Sequence, residues 1–202
     1  MTNSKGFTVA ELLVAALFVM IVLATLYGFY REQLFTLLSQ ETKTATVEDA
    51  RGALDMMMRE IRNAGSWNSG TQPAGCQRLV TATATMIRIQ ADLNGDGDCD
   101  PNETGEDIVY EIGAATSTCP GATIRRNGQC LVASVVIPSG SNFLTYYSAG
   151  STTPLTQPIS DLSVVRRLKI TFGVEVTNPN PNARDANPNL STILSSSVEL
   201  RN

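Results

Sequence analysis

Between residues 92 and 103 the chain reads Asp92-Leu93-Asn94-Gly95-Asp96-Gly97-Asp98-Cys99-Asp100-Pro101-Asn102-Glu103. Oxygen-bearing side chains recur at alternate positions here, and the chemistry they suit is the coordination of a hard cation. The spacing fits the calcium-loop pattern D-x-[DN]-x-[DN]-G-x5-E throughout. Ca²⁺ takes six to eight oxygens. Side chains of Asp92, Asn94 and Asp96 would supply the first of them, Asp98 a backbone carbonyl, Asp100 an oxygen through water, and Glu103 a bidentate carboxylate. Gly97 falls where such a loop turns sharply. Seven of the twelve acidic residues beyond Ser66 lie between Asp92 and Asp107, with no Lys or Arg among them. Without a cation these like charges repel. Calcium is therefore the expected ligand, and a solvated acidic turn is the competing reading.

Other chemistries find little material. The chain has no histidine, which removes the commonest general base and metal ligand, and it has no Gly-x-Ser-x-Gly or P-loop pattern. The expectation is a protein that is not an enzyme. The formal net charge of −4 opposes bulk affinity for nucleic acid, which rests on clustered Lys and Arg. Arg125-Arg126 and Arg166-Arg167 are the basic pairs beyond the N-terminal region, and they read as surface or sheet-edge charges.

Cys76, Cys99, Cys119 and Cys130 form an even set, and three connectivities are open in principle. Pairing neighbours, Cys76 with Cys99 and Cys119 with Cys130, closes the shorter loops and is the expected arrangement. Zinc is disfavoured, because there is no Cys-x-x-Cys pair and no histidine.

The acidic loop needs a frame. Its flanks, Met86 to Gln90 and Ile108 to Ile112, read as strands rather than the helices of an EF-hand, so the loop would be grafted on a sheet and tied by Cys99. The full set of expected strands is Thr85–Gln90, Ile108–Ile112, Thr123–Arg126, Leu131–Ile137, Phe143–Tyr147, Val164–Val176 and Ile193–Leu200, from β-branched runs bounded by turn residues. Asn127-Gly128 is the clearest hairpin turn. Asn178 to Asn189, with three prolines and five asparagines, reads as an exposed loop. Residues 66–202 thus suffice for a single head.

The N-terminal third has a different character. After a polar leader, residues 1–6, comes Phe7-Thr8-Val9-Ala10-Glu11 and an uncharged apolar run from Leu12 to Tyr30, long enough to cross a bilayer. Glu11 is costly there and calls for a cationic partner. From Arg31 to Ala64 the composition favours helix. Val47, Ala50, Leu54, Met57 and Ile61 fall in one stripe, which should dock on a sheet. One helix from Phe7 to Ala64 would be about 87 Å long at 1.5 Å per residue, half of it projecting. Met56-Met57-Met58 reads as core packing. A long helix followed by strands gives an α+β class with the helix laid on an antiparallel sheet.

Gly6-Phe7-Thr8-Val9-Ala10-Glu11-Leu12-Leu13-Val14-Ala15 resembles the start of a type IV prepilin. The resemblance implies cleavage after Gly6 by a membrane prepilin peptidase and N-methylation of Phe7. It also implies an inner-membrane anchor with the cysteines on the periplasmic side, where disulfides form, and assembly with other pilin subunits. The family's glutamate, matched by Glu11, would pair with the N-terminal amine of a neighbouring subunit. Gly52 to Gly65 resembles the end of the long helix in minor pilins of the W type and is similar to the J-type pseudopilins of type II secretion. Many major pilins carry a proline near Gly28, and this chain does not. Two functions follow as expectations: a subunit of a pilus priming complex or of a secretion pseudopilus. A pilus-borne adhesin or DNA receptor is the alternative from another class.

Overall fold

The structure, a computed structural model, describes residues 6–117, 119–178, 180 and 189–201. Most of the expected leader and most of the asparagine- and proline-rich segment therefore lie outside the described residues.

One helix, α1 (Val9–Asn63), runs through 55 residues, about 82 Å. Its start is fixed by a capping box. The Thr8 hydroxyl accepts from the Glu11 backbone N–H at 3.3 Å, and the Glu11 carboxylate accepts from the Thr8 N–H at 2.9 Å, so two donors at a helix start are satisfied reciprocally. Its end is fixed by Gly65, whose φ of +76° is costly for other residues and whose added Cβ would meet the Arg78 side chain at 2.8 Å. From Phe7 to Tyr30 the large apolar side chains are exposed, as are Leu34, Leu37 and Leu38, while Phe35 is half-buried. Burial begins further on, at Ala50, Ala53, Leu54, Met57, Met58 and Ile61. This is the expected stripe widened by Ala53 and Met58, with Val47 packed at its margin.

Among the described residues the head contains two antiparallel sheets. In the first, β1 (Leu79–Ala82), β2 (Met86–Gln90), β3 (Asp107–Gly113), β4 (Thr123–Arg126) and β5 (Gln129–Val132) follow one another as a meander. In the second, β8 (Arg167–Thr177) is central: β6 (Val135–Val136) and β7 (Leu144–Tyr147) pair with successive stretches of it, and β9 (Asn189–Glu199) runs along its whole length. The buried part of α1 packs on β8 and β9 and reaches β5. Met57, Ile61, Ile87, Tyr110, Ile124, Tyr146, Leu168, Ile170 and Phe172 belong to one core.

Each departure from the expected strands has a local cause. The run Leu131–Ile137 divides into β5 and β6 because Ser134 adopts φ +53°, and the chain changes sheets at that corner. The stretch before Arg167 is a short 3₁₀ turn, Leu162–Val164, capped by the Asp161 side chain. β9 begins at Asn189, earlier than expected, because the extended β8 offers pairing partners up to Thr177. β1 was not foreseen; its four residues carry little pattern by themselves. Asn127 and Gly128 have φ of 48° and 78°, the two positive values that a type I′ hairpin requires.

Candidate functional site

The acidic loop joins β2 to β3, and both its ends are held. Ala91 N–H donates to the Glu106 carbonyl at 2.9 Å, closing the mouth of the loop. On the other side, Asp92 N–H donates to the Ser66 carbonyl at 2.9 Å and Asn68 N–H to the Asp92 carbonyl at 3.0 Å. The first residues after α1 therefore grip the loop. Cys99 pairs with Cys76 (Cα to Cα 6.1 Å), tying the loop to the segment before β1, and Cys119 pairs with Cys130 at 6.2 Å. These are the neighbour pairings.

Inside the loop, carboxylate oxygens of Asp96, Asp98, Glu103 and Glu106 lie within 4.8 Å of one another. Three of the four belong to the twelve-residue pattern, and Glu106 lies beyond it. Asp98 joins the group through its carboxylate, where the pattern uses its backbone carbonyl. Asn94 donates its amide to Asp96 at 2.9 Å and to Glu103 at 2.6 Å, while its own oxygen accepts from the Asp96 N–H. Asp92 and Asp100 stand outside the group. Asp92 is buried and accepts from Gly95 N–H at 2.6 Å, and Asp100 accepts from Asn102 at 2.8 Å. Gly95 and Gly97 carry φ of +87° and +89°, so the loop turns tightly at both.

Glu106 had a faint sequence signal. It is an acid immediately before a strand, in a stretch without basic residues, but the pattern ends three residues earlier. It is 1% exposed, and one of its oxygens accepts from the backbone N–H groups of Leu93 and Asn94, at 2.9 and 3.2 Å. Its neighbour Asp107 is different in kind, for Arg88 grips it from β2 with Nε at 2.9 Å and Gln90 adds its amide at 3.0 Å. Burial opposes the charge on Asp107, but the Arg88 and Gln90 hydrogen bonds outweigh it and hold the carboxyl below its usual range. Asp98 and Glu103 shift the opposite way. Desolvation, then the neighbouring carboxylates, push both upward.

A second feature lies at the far end of the molecule. α1 is long and apolar enough to cross a membrane, and Glu11 sits in its first turn, with Gly6 and Phe7 just before it. The structure brings Glu11 to Thr8, within the same chain. No protein-family model, curated protein or solved structure matches this chain. Its architecture, one long N-terminal apolar helix set on an antiparallel head, is pilin-like.

Proposed function

We propose that the protein is a minor type IV pilin, a non-catalytic subunit that is cut between Gly6 and Phe7, held in the inner membrane with its head in the periplasm, and built into a fibre through α1. The observation that carries this reading is the apolar helix surface from Phe7 to Tyr30, exposed along its length. A surface of that size needs lipid or like helices around it. Glu11 supports the same reading. Before cleavage the capping box satisfies its carboxylate locally; after it, the new amine of Phe7 on an adjacent subunit becomes a charged partner, and a buried charge is tolerable only with one. In the pseudopilins it also resembles, the tip-most subunit typically lacks this glutamate, which supports a position just below the tip.

The test is expression of the full chain in a host with a pilus assembly system. N-terminal mass spectrometry is expected to find methylated Phe7. Glu11→Ala is expected to leave the protein in the membrane and absent from sheared fibres. An intact leader beside an active prepilin peptidase, or Glu11→Ala incorporated as efficiently as the parent, would sink the proposal. Recovery only with secretion pseudopilins would move the chain to type II secretion.

A further inference from the structure

Four carboxylates gathered on an exposed loop decide nothing by themselves, because water solvates such groups. The buried side of the loop is what distinguishes this one. Glu106 spends one oxygen on the backbone of Leu93 and Asn94, and its second oxygen, Oε2, is buried with no hydrogen-bond partner. Asp92 repeats the pattern: Oδ1 accepts from Gly95, while Oδ2 is buried and unpartnered. A buried carboxylate oxygen without a donor is costly, more so than a neutral group. No Lys or Arg occurs between residues 92 and 107, and Arg88 is committed to Asp107. The loop's own hydrogen bonds thus leave a buried oxygen of Glu106 unmet beside three further carboxylates, and one of Asp92 unmet at the start of the loop.

We infer that the β2–β3 loop is a calcium site whose buried anchor is Glu106, with Asp96, Asp98 and Glu103 closing over the ion from the solvent side. The donor set is all oxygen, which suits a hard cation. The one sulfur in the loop, on Cys99, is taken up in a disulfide. Four carboxylates from a loop with two glycine turns suit the flexible, oxygen-rich shell of Ca²⁺ better than Mg²⁺, which demands a near-ideal octahedron and retains its waters. The ion site differs from the twelve-residue pattern in its innermost ligand, because Glu106, just before β3, lies buried beneath the loop while the pattern would end the site at Glu103. Nothing in this inference rests on the assembly role proposed above.

Full-length protein in neutral detergent, stripped with chelator and desalted, provides the test. Calcium chloride alone is titrated by calorimetry. Terbium luminescence is excited through Trp67, the chain's only tryptophan, which forms a bridge with Asp92. One ion per chain is expected, with terbium displaced by calcium. Glu106→Gln is expected to weaken binding about tenfold or more, at least as much as loss of an outer-shell partner, and Asp55→Asn on the exposed face of α1 to leave it unchanged. Should Glu106→Gln not fold, the exposed pair Asp96→Asn and Asp98→Asn must weaken binding instead. No heat and no terbium signal up to about 10 mM, above the weakest class of protein calcium sites, would overturn the inference. Unchanged binding in the loop variants, or magnesium competing equally, would overturn it too. None of these measurements involves a fibre, so their failure leaves the pilin reading to its own test.

Discussion

Glu60 on α1 and Arg126 on β4 meet side-on: Nε and a terminal guanidinium nitrogen of Arg126 donate to the two carboxylate oxygens of Glu60, at 3.0 and 2.9 Å. The Tyr110 hydroxyl, from β3, donates to the same carboxylate. Burial, then the Glu60 hydrogen bond, hold the Tyr110 hydroxyl well above its usual range, so it remains a donor at any physiological pH. One helix residue thereby fixes the position of two adjacent strands of the first sheet.

Replacing Glu60 with Ala leaves a guanidinium and a hydroxyl without their acceptor in a half-buried place. The expected loss is about 2–3 kcal/mol, less than for a fully buried pair because both side chains of the pair keep some contact with water. Thermal unfolding in detergent should show a midpoint about 5–10 °C lower. Glu60→Gln, which keeps an acceptor, should lose clearly less. Equal losses would mean that the charge, not the hydrogen bonding, holds this contact.

The two ends of α1 should respond differently to the same kind of change. Ile61 is fully buried, and Ile61→Ala should destabilise the head by about 2–5 kcal/mol through lost burial and a residual cavity. Leu37 is 60% exposed, and Leu37→Ala should stay within about 0.5 kcal/mol. Denaturant midpoints compared at constant slope would check this.

The pH response of chelated protein should change sign. Asp98 and Glu103 hold their protons to higher pH in the folded head than in the unfolded chain, so stability should rise as pH falls from 7 toward about 5. Asp107 acts the other way. Its carboxyl is held low, so its contribution is complete above about pH 4 and is lost as pH falls through its folded value. A melting temperature that rises and then drops on acidification is the expected profile. A steady fall from pH 7 would contradict the loop's electrostatics.

Removing the Cys76–Cys99 bridge by double substitution to Ser frees a loop of sequence separation 23. The chain-entropy relation gives a loss of about 3 kcal/mol. Because Cys99 lies inside the acidic loop, this variant should also bind calcium more weakly than one lacking Cys119 and Cys130. Calorimetry on both variants, in parallel with melts, checks the two effects separately.

The helix was legible because its signals agree: an apolar span, a 3-4-3-4 stripe, and glycine at its end. Central strands such as β3 and β4 were legible for a similar reason, their β-branched runs being bounded by turn residues. What the sequence hid were features set by distant partners. Ser134 turns the chain from one sheet to the other, and nothing in Leu131–Ile137 announces that its two halves pair with Ile124 and Val174 respectively. β1 exists because β2 lies beside it. Glu106 was missed for the same reason, since its place beneath the loop follows from the β2–β3 register rather than from a linear motif.

The exposed apolar stretch of α1 makes the whole molecule a surfactant, with a hydrophilic head and a single tail. Lipid chains and neighbouring helices are about equally apolar, so moving this tail from a bilayer into a bundle of like helices leaves the hydrophobic term almost unchanged. The choice between those two surroundings then falls to close packing and to the one carboxylate at the tail's tip. In the pilin role proposed above, a subunit built this way would enter and leave an assembly without ever exposing its tail to water.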